Sequence, residues 1–222
     1  MTELKLYERL LELPLFQGMS RNDLGEAVSL IKFRQIDFSK NKTVITEGDV
    51  CDRLFFLLKG SVLITGYSDD KGYSVTEQLT APDIIQPEHL FGLTQRHSIT
   101  METVTECSFI CINKPDVVVL STKYEIFRLN FLNMICTRLQ RLTRVTWQIK
   151  PQSIRRKILK FISSKCIKPA GEKIVAIKME RLAAEIGESR LNVSKELNDM
   201  DTEGLISSRR GKIYVKALEK LN

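Results

Sequence analysis

Arg190, Asn192, Ser194 and Lys195 fall within a single short run, and all four side chains can reach phosphate oxygens or the edges of bases. The run sits inside residues 179–200, MERLAAEIGESRLNVSKELNDM, whose spacing predicts helix, tight turn, helix. Leu182, Ala183 and Ile186 turn the first helix toward a core, and Gly187 follows at the bend, where glycine takes a left-handed conformation without steric cost. Ser189 can then cap the second helix by accepting a hydrogen bond from a free backbone N–H. Val193, Leu197 and Met200 recur at i, i+4 and i+7 and make its buried face. The basic and amide residues are left on the opposite face, as in a recognition helix lying in a DNA major groove. An ordinary helical hairpin with a solvated face would show the same pattern, so the charge around it must decide.

Of 34 Lys+Arg and 27 Asp+Glu in 222 residues, residues 150–222 hold 17 and 9, and residues 1–149 hold 17 and 18. The whole positive excess of +7 therefore gathers around the hairpin, next to a nearly neutral remainder. That asymmetry is the electrostatic footprint of nucleic-acid binding. A membrane partner is not expected, since no long apolar span or basic amphipathic anchor is present.

The length suggests one or two domains, and 43% hydrophobic content is enough for real cores. The N-terminal MTELKLYERLLEL lacks the cationic head, apolar core and small-residue cleavage site of a secretory leader, and reads as a short amphipathic helix ending before Pro14. Five scattered cysteines (Cys51, Cys107, Cys111, Cys136, Cys166) favour free thiols in a reducing compartment, and the cytoplasm is the expected location. Cys107, Phe109 and Cys111 alternate like a strand, which makes both thiols small buried hydrophobes. No cofactor is called for. His89 and His97, eight apart with no H-x-H pattern, do not supply the clustered ligands of a metallohydrolase, so the chain is not read as an enzyme.

Several elements must position the reading head. Residues 15 to about 115 read as all-β, with short β-rich runs recurring: TVIT, RLFFLLKG, SVLITGYS, YSVTEQL, SITMETV and CSFICI. Asp69-Asp70-Lys71-Gly72 lies between two of them as a hairpin loop. Such spacing suggests a sandwich, jelly roll or barrel. Pro115-Asp116 opens a short helix through Leu120. Leu132, Ile135, Leu139 and Leu142 then repeat at three, four and three, an a/d seam that predicts self-association. Lys150-Pro151 breaks that helix. A basic amphipathic helix over Gln152–Cys166, a strand over Lys173–Lys178, the hairpin, and two strand-like pieces (Leu205–Ser207 and Lys212–Lys216) complete a winged helix-turn-helix outline. Arg209 and Arg210, with Lys212 beyond Gly211, would carry charge on the wing and grip phosphate oxygens.

The order of these parts resembles the CRP/FNR family of bacterial transcription regulators. Val44-Ile45-Thr46-Glu47-Gly48-Asp49 followed by Leu54–Val62 is similar to the family's cyclic-nucleotide-type β-roll. Glu180–Lys195, with Glu203-Gly204-Leu205-Ile206 behind it, is similar to its reading head. The helix near 122–148 matches its dimerisation helix in position. The resemblance implies an α+β chain: a double-stranded, jelly-roll-like β-roll over 1–115, a short and a long helix over 116–149, and a winged helix-turn-helix over 150–222.

It also implies an effector pocket at Glu88, with His97-Ser98 where nucleotide-binding members carry Arg-Ser/Thr, and Arg96 one residue early. On a strand that offset sends Arg96 to the other face. Pro87 replaces a glycine whose amide would serve a phosphate. Both departures speak against cyclic AMP and leave an unidentified small effector or none. No cysteine cluster stands near the N-terminus to hold iron and sulfide. In the recognition helix, Leu191 and Lys195 stand where many members place Glu and Arg, so Leu191 cannot accept from cytosine but can touch a thymine methyl. Lys195 can bind guanine or phosphate, without the planar fork of Arg.

The expectation is a homodimeric, sequence-specific regulator reading a two-fold operator in double-stranded DNA. Its half-sites would lie roughly 34 Å apart, and RNA polymerase is a candidate further partner. The rival expectation keeps the fold and makes it a constitutive or partner-controlled DNA binder with a vestigial pocket.

Overall fold

The computed structural model describes residues 3–146 and 152–221. Two helices open the chain, α1 (Glu3–Leu11) and α2 (Arg21–Leu30). Eight strands follow: β1 (Arg34–Phe38), β2 (Thr43–Ile45), β3 (Arg53–Lys59), β4 (Ser61–Tyr67), β5 (Tyr73–Thr80), β6 (Asp83–Ile85), β7 (Thr100–Thr103) and β8 (Cys107–Asn113). Next come helices α3 (Lys114–Lys123), α4 (Glu125–Thr146) and α5 (Ile154–Ser164). The C-terminal part runs β9 (Lys173–Ile177), α6 (Met179–Ile186), α7 (Arg190–Thr202), β10 (Ile206–Arg209) and β11 (Lys212–Val215). All six β-rich runs read from the sequence are strands. The all-β reading fails at α2, which Ser20 caps by accepting from the Asp23 N–H, and it passed over β1, which is polar (RQIDF), and β6, a short strand set between Pro82 and Pro87. The break expected at Lys150-Pro151 lies outside the described residues.

The chain forms two compact units, one from the residues up to Val62 with Leu79–Thr143, the other from Leu63–Gln78 with the chain from Arg144 onward. In the first unit an antiparallel sheet runs in the order β1-β8-β3-β6. β3 is a nearly unbroken apolar run because both of its faces are covered. Leu54 and Phe56, with Ile84, Ile110 and Ile112 of its neighbours, join the helices in one core. There Phe16 stacks at 5.2 Å from Phe127 and 5.9 Å from Phe56. Phe55 and Phe109 meet edge to face at 6.2 Å beside the strands. β2 and β7 pair antiparallel. Gly60 joins β3 to β4 at φ +95°, where a Cβ would lie 2.4 Å from the Glu106 carbonyl oxygen, so only glycine fits.

In the second unit the wing strands continue into the hairpin in the order β10-β11-β9-β5-β4. Alternation sets the buried face: Val75 opposes Val175 across β5–β9, and Ile213 opposes Val175 across β11–β9. These side chains pack with Ile158 and Ile162 of α5, Leu182 of α6 and Val193, Leu197 and Met200 of α7. At the end of the β5–β9 ladder Lys173 and Glu77 are both buried, with Nζ 2.8 Å from the carboxylate. Glu77 also accepts from the backbone N–H groups of Ile167 (2.6 Å) and Lys168 (3.1 Å), and Lys173 donates to the Ala170 carbonyl at 2.8 Å. Both charged groups are therefore paired and further hydrogen-bonded, the condition on which such a pair is tolerated.

Candidate nucleic-acid interface and ligand pocket

The reading helix is set by its two ends. Gly187 has φ +67° and its N–H donates to Ala184, while the N–H of Glu188 reaches back to Ala183 at 2.9 Å. This pair of bonds closes α6 and turns the chain. Ser189 then caps α7, its Oγ accepting from the Asn192 N–H at 3.2 Å. Val193, Leu197 and Met200 are buried as their spacing requires. Arg190, Leu191, Asn192 and Lys195 are exposed, and Ser194 is half-buried beside them. Arg190 holds an ion pair with Glu180 of α6 at 2.9 Å, both ends largely in solvent.

α5 anchors this helix, a role the sequence reading did not assign. The guanidinium of Arg155 donates to Glu196 at 2.7 Å and, through two nitrogens, to both oxygens of Glu203 at 2.8 and 2.7 Å. Such a fork fixes geometry as well as charge. Lys157 pairs with Glu188 in the turn. At the far end of α7, Asp201 accepts from the Ser208 N–H at 3.0 Å and ties the wing to the helix. The wing itself pairs Arg209 with Lys212 across β10 and β11, and Arg209, Arg210 and Lys212 are exposed. The structure thus puts Ser189, Arg190, Asn192, Ser194 and Lys195 on one helix and Arg209, Arg210 and Lys212 on one hairpin of the same unit.

The expected ligand pocket lies in the first unit and is built differently from its sequence outline. Glu88 and the His97-Ser98 pair are present, but the hub among them is Gln86, a residue the sequence reading passed over. Its Nε2 donates to Ser98 Oγ at 2.7 Å, and its Oε1 accepts from the Ser98 N–H at 3.3 Å. His97 is buried and its Nδ1 lies 3.1 Å from the same Oε1. An oxygen that already accepts from an amide leaves Nδ1 as the donor. Ser98 Oγ continues the chain to His89 Nε2 at 3.2 Å. Burial, and next the charge His89 can carry, hold His97 below the ordinary imidazole value of 6.5. Gln86 sits at φ +41°, ψ +52° immediately before Pro87, a left-handed state that such a residue rarely takes. Strain of this kind persists only where surrounding bonds over-determine it. Glu88 pairs with Arg138 of α4, a partner too distant in sequence to be seen from spacing.

Arg96 does not join this group. It is exposed and donates to the Gly48 carbonyl at 2.7 Å, while its neighbour His97 is buried. The two-residue period of extended chain makes that difference.

α4 has two faces. Phe127 is buried, Phe131 and Met134 pack on the first unit's core, and Asn130 donates to the carbonyls of Leu15 (3.2 Å) and Gln17 (2.8 Å). Away from it stand Leu132 (50% exposed), Leu139 (58%) and Leu142 (66%), with Ile135 half-buried in the same row. Leu129 extends the exposed row toward the N-terminus. Cys107 and Cys111 are buried, and burial pushes the Cys111 thiol up to about 12. Among the described residues no three His, Cys, Asp or Glu are grouped to hold a metal ion, and no helix is long and apolar enough to cross a membrane.

An N-terminal β-roll and a C-terminal winged helix-turn-helix define a class of DNA-binding transcription regulator. Residues 35–124 match the family model of a cyclic nucleotide-binding domain, and residues 135–222 match that of a Crp-like helix-turn-helix domain. The chain belongs to the CRP/FNR family. Among curated relatives it is 23% identical over 177 residues to the cAMP-activated global transcriptional regulator Vfr of Pseudomonas aeruginosa, covering 76% of this chain and 83% of that one. Among solved structures it is similar to the catabolite activator protein of Thermus thermophilus, at 19% identity and TM-score 0.51 over 94% of this chain and 96% of that one. It is also similar to the c-di-GMP responsive global regulator CLP of Xanthomonas campestris, at 16% identity and TM-score 0.52, over 89% of this chain and 99% of that one.

Proposed function

We propose that the protein acts in the cytoplasm as a homodimer that reads a two-fold DNA operator, with the long helix pairing the subunits and the β-roll sensing a small effector other than cyclic AMP. The observation that carries the DNA reading is the capped helix α7, which turns Arg190, Asn192 and Lys195 to solvent beside a wing bearing Arg209, Arg210 and Lys212. Arg190, Asn192 and Lys195 contact base edges or phosphates, and the wing residues hold the backbone. The exposed leucine row of α4 supports the dimer, since a stripe this apolar needs a partner. An effector acts by favouring the DNA-competent state through differential affinity for it. The double substitution Arg190→Ala with Lys195→Ala leaves folding intact and abolishes specific binding in an equilibrium titration. Unchanged operator affinity would remove α7 from the reading role.

A second reading, a pocket that no longer takes a ligand, draws support from the Gln86 network. Gln86, His97, Ser98 and His89 satisfy one another, and Arg138 already occupies Glu88. One relative is named as cAMP-activated and one structural neighbour as c-di-GMP responsive, so the pocket's own chemistry must decide. Calorimetry with cyclic AMP, cyclic GMP and cyclic di-GMP separates the readings. Saturable heat with a ligand other than cyclic AMP supports sensing, and flat titrations throughout support the vestigial pocket.

A further inference from the structure

The apolar side chains of the second unit are almost all accounted for by its core. Among the described residues of that unit, the large apolar side chains left exposed are Tyr67 and Leu191, and Leu191 is the more exposed by far, at 79%. Its position is not one where folding needs it. It is the second residue of α7, one place past Arg190 and one before Asn192, and one helical turn ahead of Lys195. The buried face of the helix is carried by Val193, Leu197 and Met200 without it. The Ser189 cap holds that turn, and the Arg155 fork fixes the helix farther along at Glu196 and at its end at Glu203, so Leu191 is presented from a fixed element. With α7 in a major groove, the surface facing such a side chain would be a base edge. In the major groove the one apolar group on those edges is the C5-methyl of thymine.

We infer that Leu191 is a specificity-determining residue that reads a thymine methyl in each half-site. The inference rests on the DNA-reading role of α7. Its chemistry complements the neighbours: the amide of Asn192 is suited to adenine, whose partner is thymine, and Lys195 to guanine or phosphate. Leucine offers no hydrogen bond, so the discrimination comes from methyl burial and from leaving the donors and acceptors of other base edges unmet beside an apolar side chain. A single methyl buried in this way is worth about four-fold in affinity per half-site.

The test uses the full-length protein and an operator selected from random DNA, remade with deoxyuridine in place of thymidine at one symmetric pair of positions at a time. Uracil keeps every hydrogen-bonding atom of thymine and lacks only the methyl. The wild-type protein is expected to lose about four-fold per half-site at one position. The variant Leu191→Ala, altered only at an exposed side chain, is expected to bind the thymine and uracil duplexes equally at that position. Two results would overturn the inference: wild-type protein indifferent to uracil at every position, or Leu191→Ala retaining the same uracil penalty, which would assign the methyl contact to another residue. Failure of the underlying DNA reading is seen separately and earlier, as an absence of any selected operator, and would remove both.

Discussion

His97 is buried against Gln86 and Phe55, and burial holds its imidazole neutral below the ordinary value of 6.5. The consequence for stability has a definite sign. Below pH 6.5 the unfolded chain takes up a proton at this position, and the native protein does not until the pH reaches its lower native value. Stability therefore rises with pH across that window and falls on acidification. His97→Gln is expected to flatten the acid side of the melting-temperature profile just below pH 6.5. An unchanged profile would mean that His97 titrates alike in the native and unfolded states. The residue scale also shows where sequence reading stops. The capping of α7 by Ser189 and the left-handed Gly187 were legible, because each follows from local backbone chemistry. Gln86 was not: nothing in Ile85-Gln86-Pro87 announces that its amide bonds residues 97 and 98, and a residue before proline would be expected to be extended.

At the scale of elements, α4 makes a clear demand on solution behaviour. With Leu132, Leu139 and Leu142 exposed on one face and Phe127 buried on the other, Leu139→Glu would set like charges facing each other across a two-fold seam. The expected result is a monomer in sedimentation equilibrium with its secondary structure kept, and a persistent dimer would place the interface elsewhere. The heptad spacing made this row visible in sequence; the bond of Arg138, on the same helix, to Glu88 had no local signature. Strand β5 carries a different lesson. Its period-two pattern gave a strand, but its partner β9 and the buried Glu77–Lys173 pair lie 96 residues apart and had no local signature. Glu77→Gln strands the Lys173 charge in the core, at a cost of about 3–5 kcal/mol. Glu77→Leu with Lys173→Met removes both charges and is expected to recover most of that loss in urea unfolding. Equal instability of both variants would show that the bonds of Glu77 to Ile167 and Lys168 matter more than the charge pair.

For the whole molecule, charge distribution was the most readable signal, since the basic excess falls in the part that carries α7 and the wing. Arg209 and Arg210 are exposed at the wing tip. Replacing both with Ala is expected to weaken binding to all sequences alike and to reduce the slope of log K against log salt by up to about 3.6 for the four guanidiniums of a dimer. A change in sequence preference instead would make the wing a base reader. Two-fold DNA reading is checked by selecting bound duplexes from a random pool, with the full-length protein alone and again with cyclic nucleotides added. The expected result is enrichment, in at least one of the two, of an inverted repeat whose half-sites are centred about one helical turn apart. Asymmetric sites, or only salt-sensitive and sequence-blind binding in both, would contradict a two-fold reader.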